Sequence, residues 1–139
     1  MKTLTVKQFD KLQKIENSKN IAIDFDGVIH RCSKGYHDGT VYDIPIDGSI
    51  EAIKNIKEMG YNIVIFSCKS RSDRPLVGGK SGTEMIWDWL EKYDISDCVD
   101  DVVSEKPRAA VFIDDKGHRF TDWDNTLRFI TDMSSKKGE

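Results

Sequence analysis

The chain has 139 residues, of which 38% are hydrophobic and 32% charged, with a formal net charge of −3 at pH 7. That length suits one domain with a substantial core, and the composition excludes a disordered chain. The weak negative charge argues against a general nucleic-acid coat protein, while a nucleotide or a nucleic-acid end stays open as a substrate.

In chain order, Phe9, Leu12 and Ile15 recur at a spacing of three and predict a short packing helix over Val6 to Glu16. A strand follows at Asn20 to Phe25. It carries the run Ile21-Ala22-Ile23-Asp24-Phe25-Asp26-Gly27, an apolar stretch ending in two carboxylates and a turn residue. Residues 28–46 are polar and punctuated by glycine, with a short alternating piece at Thr40 to Ile44, and predict a β-hairpin flap after strand 1. A helix from about Ile50 to Met59 is expected next, capped by Ser49 or Asp47 and ended by Gly60. Tyr61 to Phe66 reads as a second strand, apolar throughout as for a strand covered on both faces. A polar loop leads to a helix at Thr83 to Tyr93, with Met85, Ile86, Trp89 and Leu90 inward. Short strands are expected at Val102-Val103 and at Ala109 to Ile113, the latter running into Asp114-Asp115. A last helix spans Trp123 to Thr131, and Met133 to Glu139 reads as a disordered polar tail.

Strands alternating with helices predict one α/β domain over residues 1–139. Its expected form is a three-layer α/β/α, Rossmann-like sandwich with a mainly parallel sheet. Cys32, Cys68 and Cys98 stand far apart without CxxC spacing, which fits reduced thiols. Met1 to Lys7 lacks the apolar core of a signal peptide, and the longest strongly apolar run, Ile63 to Phe66, is too short to cross a membrane. The expectation is a cytoplasmic protein with no membrane partner; oligomeric state is not legible.

Ligands of parallel sheets sit beyond the carboxyl ends of the strands. There the sequence collects Asp24, Asp26, Ser67, Asp114 and Asp115, with Lys106 just before the last long strand. Carboxylates so crowded call for a cation, and oxygen ligands favour Mg²⁺ bridging to a substrate phosphate. Ser67 and Lys106 can hold that phosphate. One carboxylate can attack phosphorus to give an aspartyl-phosphate, and the other can move protons.

The ordered set resembles the haloacid dehalogenase superfamily, in its phosphatase branch. Ile21 to Ile29 looks like the first motif, a strand followed by DxDG. Ile65-Phe66-Ser67 looks like the second, Lys106-Pro107 the third, and Val111-Phe112-Ile113-Asp114-Asp115 the acidic fourth. The resemblance spans residues 20 to 120 and implies the following roles. Asp24 is the nucleophile and a metal ligand. Asp26 is the acid/base, with its main-chain carbonyl on the metal. Ser67, its neighbour Cys68 and Lys106 lie on the phosphoryl group, and Asp115 and Asp114 are metal ligands. The insertions after the strands are too short to house a folded cap, so the chain looks like a small capless member, open to a small phosphorylated molecule or a nucleic-acid end. Its shape also resembles the phosphatase part of polynucleotide kinase/phosphatases.

Secondary candidates for substrate contact are His30, Arg31 and Tyr36 in the flap, Lys69 and Arg71 after Ser67, and His118 and Arg119 after the acidic pair. For Lys69 and Arg71 the competing expectation is a solvated loop. The Cys68 side chain and Trp87, Trp89 and Trp123 are expected to pack. Gly78-Gly79-Lys80-Ser81 lacks the first glycine of a P-loop and reads as a flexible loop. A signalling receiver domain is disfavoured because lysine precedes the final acidic pair. A catalytically silent binding or regulatory domain of the same family is the alternative.

Overall fold

The computed structural model of the chain describes residues 19–35, 37–106, 109, 111–114 and 118–137. The helix expected at Val6 to Glu16, and Tyr36, Pro107 and Asp115, lie outside the described residues. Strands β1 (Asn20–Asp24), β2 (Asn62–Phe66), β3 (Asp101–Val103), β4 (Val111–Asp114) and β5 (His118–Arg119) form one sheet in the order β3-β2-β1-β4-β5. Every pairing is parallel. The described residues include three α-helices, α1 (Ser49–Glu58), α2 (Gly82–Lys92) and α3 (Trp123–Lys137), with 3₁₀ turns at Cys68–Ser70 and Ser96–Cys98. This is an α/β fold compatible with a Rossmann-like arrangement.

The central strand explains the register. Ile21, Ala22 and Ile23 are all fully buried, although alternate side chains of a strand point to opposite faces. Both faces of β1 are therefore covered, which suits its continuous apolar run. Ile53 and Ile56 of α1, Ile86 and Leu90 of α2, and Trp123 and Ile130 of α3 join Ile63, Ile65 and Ile113 in the same core. Asp24 stands opposite Phe66, and Ile23 opposite both Ile65 and Ile113. The ends of β1, β2 and β4 thus come level at one edge. No helix among the described residues is long and apolar enough to cross a membrane.

Several boundaries differ from expectation. The N-cap of α1 is Gly48, without a side-chain cap. Ser49 is fully buried, with its hydroxyl 3.5 Å from the Ile29 carbonyl, so it serves the core in place of the cap. Helix α2 starts at Gly82, one residue early, because Ser81 and Glu84 form a reciprocal capping box. Helix α3 runs on to Lys137 instead of stopping at Thr131, and Met133 packs against the core from its extra turns. The fourth strand starts at Val111 and includes Asp114. Strand β5, two residues long, has no counterpart in the sequence reading.

Candidate functional site

The chain leaves β1 through a tight turn in which the amides of Ile29 and His30 both donate to the Phe25 carbonyl, at 2.9 and 3.0 Å. Gly27 adopts φ 81 in that turn, a conformation that a Cβ would strain. Trp123 Nε1 donates to the Val28 carbonyl at 3.0 Å and pins the turn from α3. The chain then runs out and back. Arg31 N donates to the Ile44 carbonyl at 2.9 Å, and Ile46 N to the Ile29 carbonyl at 2.8 Å.

Asp24 and Asp26 have different surroundings. Asp24 ends β1, and its Oδ1 accepts the Phe25 amide at 2.8 Å. Asp26 lies beyond the strand, and each of its oxygens has a charged or polar partner. Oδ2 takes the Lys69 ammonium at 2.7 Å, and Oδ1 faces His30 Nδ1 at 2.9 Å. The His30 tautomer follows from its other nitrogen. Nε2 accepts the Asp43 amide at 2.9 Å, so the ring proton sits on Nδ1 and is donated to Asp26. Burial pushes the Asp26 carboxyl up, but the hydrogen bonds from His30 and Lys69 outweigh it and hold the group below its ordinary range.

His30 is fully buried, stacked on Phe25 at 5.2 Å with the rings 2° from parallel, and edge-on to Trp89. Trp89 Nε1 in turn donates to the Asp43 carbonyl at 2.9 Å. A line of hydrogen bonds therefore runs from α2 through Asp43 and His30 to Asp26 and Lys69. Nothing in the sequence singled out Asp43 or Trp89 for this line, since their contacts are made through backbone atoms and a ring nitrogen.

On the β2 side, Ser67 follows Phe66 and continues the pairing to β3, its amide donating to the Val103 carbonyl at 3.0 Å. Its Oγ accepts the Lys69 amide at 3.2 Å, so it caps the short turn Cys68–Ser70. Lys106, in the link from β3 to β4, lies over two rings, 5.7 Å from the centre of Phe66 and 5.4 Å from that of Phe112. Its charge is thereby brought to the end of β2. The backbone of Asp114 ends β4 level with Asp24; its side chain, and those of His118 and Arg119, lie outside the described residues.

Four expectations are corrected. His30 is not presented to a substrate, because both ring nitrogens are engaged and the residue is fully buried. Lys69 is not in a solvated loop: it is 2% exposed and turned inward to Asp26. Cys68 does not pack; it is exposed and lines a cleft of about 530 Å³ with Arg71, Asp73 and Glu105. Gly78-Gly79 forms a closed two-residue turn, with Val77 and Lys80 exchanging backbone hydrogen bonds and both glycines at positive φ. Lys80 pairs with Asp88. Arg71 is exposed and pairs with Asp73 at 2.7 Å, and Arg31 is exposed beside Pro45 and Asp47. Trp89 and Trp123 do pack, and both also tie down the segment after β1.

Ligand atoms of Asp26, His30 and Cys32 lie within 4.8 Å of one another. This cluster is a poor cation site. The Lys69 ammonium already neutralises Asp26, both His30 nitrogens are in use, and burial together with Asp26 pushes the Cys32 thiol up. Comparison with family models, with curated proteins and with solved structures returns no match.

Proposed function

We propose that the protein is a Mg²⁺-dependent phosphohydrolase of the haloacid dehalogenase type that cleaves a phosphate monoester through an aspartyl-phosphate. The observation that carries this reading is the shared edge: Asp24 and Ser67 close neighbouring parallel strands, with the Asp114 backbone level on the other side. The order of residues around that edge is the one the resemblance requires. The finer fold belongs to the same reading. Coverage of β1 on both faces supports three layers, and the backbone pairing of residues 29–31 with 44–46 supports a flap.

Asp24 attacks phosphorus, and the bond to the leaving oxygen breaks. Ser67 donates to a phosphoryl oxygen, and Lys106 offsets its charge. Water then attacks the aspartyl-phosphate, giving its proton to Asp26, and frees Asp24 and inorganic phosphate. Lys69 and His30 hold Asp26 as a carboxylate at rest, which suits this second half. For the first half Asp26 must take up a proton before the leaving oxygen needs it.

The donors that the resemblance assigns, the Asp24 carboxylate, the Asp26 carbonyl, Asp114 and Asp115, are all oxygens, which suits a hard cation. Mg²⁺ held there would neutralise charge on the transferring phosphoryl group. The capless outline leaves small phosphorylated metabolites, nucleotides and nucleic-acid ends as substrate classes in a cytoplasmic setting.

A silent binding domain is the second reading, and the Lys69–Asp26 ion pair favours it, because a paired carboxylate is slow to act as an acid. A Mg²⁺-dependent screen over phosphate esters and 3′- or 5′-phosphorylated oligonucleotides decides between them. Turnover that disappears in Asp24→Asn supports the enzyme. Turnover that survives unchanged in Asp24→Asn rejects the covalent route, and none at all with metal bound supports the binding domain.

A further inference from the structure

We infer that Phe66 and Phe112 are positioning residues: together they form an aromatic seat that holds the Lys106 ammonium at the strand end that carries Asp24. The effect on turnover rests on the phosphohydrolase reading, and the seating rests on geometry alone.

The register puts both rings on one face of the sheet. Side chains alternate along a strand, and paired residues of neighbouring parallel strands point the same way. Phe112 stands opposite Ala22, and Phe66 stands opposite Asp24. Ala22, Asp24, Phe66 and Phe112 therefore share a face, and Ile21, Ile23, Ile65 and Ile113 of the core lie on the other. Between the two aromatic strands β1 places its smallest apolar side chain. Ala22 is fully buried, and the rings close across it to 6.4 Å between centres, at 77° to one another. An isoleucine there, as at residues 21 and 23, would stand between them.

Lys106 is exposed, whereas Phe66 is 8% exposed and Phe112 is partly buried. An exposed lysine has a long, flexible stem and samples many rotamers. Here the ammonium lies at nearly the same distance from both ring centres, 5.7 Å from Phe66 and 5.4 Å from Phe112. At that range the negative face of a ring attracts a cation. One ring would confine the charge only loosely. Two rings carried by β2 and β4, on either side of β1, confine it to the seam between them. Asp24 lies two residues beyond Ala22 along that seam, on the same face. A ring fixes an ammonium without neutralising it, which suits a charge that must also meet a phosphoryl oxygen.

The test uses the full chain with Mg²⁺ and p-nitrophenyl phosphate. Phe66→Leu and Phe112→Leu keep apolar bulk; each is expected to lower kcat/KM by about 3-fold, and the two together by about 10-fold. In a Lys106→Met background the same changes should cost nothing further. Equal losses with and without the ammonium would make the rings structural and overturn the inference. Mono-, di- and trifluorophenylalanine at residue 112 withdraw charge from the ring face and nearly keep its shape, so kcat/KM should fall in graded steps. A series without a trend also overturns the inference. The second readout needs no turnover. The ε-methylene protons of Lys106 should resonate upfield of those of the other lysines in wild type, through the ring currents, and move back in the double leucine variant. Absence of that displacement from wild type, or its persistence in the double variant, overturns the seating. A wild type inert toward every ester rejects the phosphohydrolase reading, while the resonance still decides whether the rings seat the lysine.

Discussion

Two segments meet at Asp26, and they solve the same problem in opposite ways. Residues 29–46 send in an imidazole, and residues 67–82 send in an ammonium. The first segment is knit together by its own side chains. Asp43 accepts the Ser33 amide at 2.8 Å and its hydroxyl at 2.5 Å, while Tyr42 donates to the Gly35 carbonyl at 2.7 Å. Its inward group is an uncharged ring stacked on Phe25, with a partner for each nitrogen. The second segment relies on α2 for its shape, and its inward group is charged. A neutral ring is a modest burden on the interior, but an ammonium depends on one partner. The two sides of Asp26 therefore differ in what is lost when the carboxylate goes.

The largest effect separates chemistry from stability. Asp24→Asn is expected to abolish Mg²⁺-dependent turnover and leave the thermal midpoint nearly unaltered, as assay and circular dichroism would check. Removal of the shared partner comes next. Asp26→Ala leaves the Lys69 charge buried alone and should cost about 3–5 kcal/mol in urea unfolding. His30→Ala removes a packed ring and should cost about 2–4 kcal/mol. Lys69→Met keeps the apolar stem and leaves a partly exposed carboxylate that still has His30. Its expected cost is smaller, about 1–2 kcal/mol, and a larger loss than for Asp26→Ala would break the asymmetry.

A smaller effect is one of pH. Ser33 first, through its hydroxyl and amide, and then the Ile44 amide hold the Asp43 carboxyl down to about 2, against an ordinary 3.8. A carboxyl lowered in the folded state adds stability above its ordinary value, and that stability fades as pH falls from 3.8 toward 2. The urea midpoint should therefore drop less between pH 5 and pH 2.5 in Asp43→Asn than in wild type. Arg71→Ala, which cuts only the exposed pair with Asp73, should change no midpoint measurably.

The strands were readable because Ile21–Ile23 and Ile63–Ile65 are unbroken apolar runs of strand length. Their ends, and hence Asp24 and Ser67, were readable with them. Strand β5 was not, since two residues carry no period. Lys69 was misread for a physical reason. A lysine among serines and arginines has the local signature of a solvated loop, and its pairing with Asp26 is made by the fold. His30 likewise reads as a surface group until Asp43 and Trp89 are known to close over it. The start of α2 was placed one residue late, at Thr83, because the Ser81–Glu84 capping box that begins the helix at Gly82 was not picked out.

The sheet order also bears on how the protein comes off the ribosome. Ile21 pairs with Ile63 on one side and with Val111 on the other. The first edge of β1 can be satisfied when half the chain exists, whereas the second waits for β4. During synthesis a strand with an apolar centre thus presents an open hydrogen-bonding edge for a long interval, the kind of surface on which chains aggregate. The same delay keeps the acidic end of β4 away from Asp24 until the core beside it has formed.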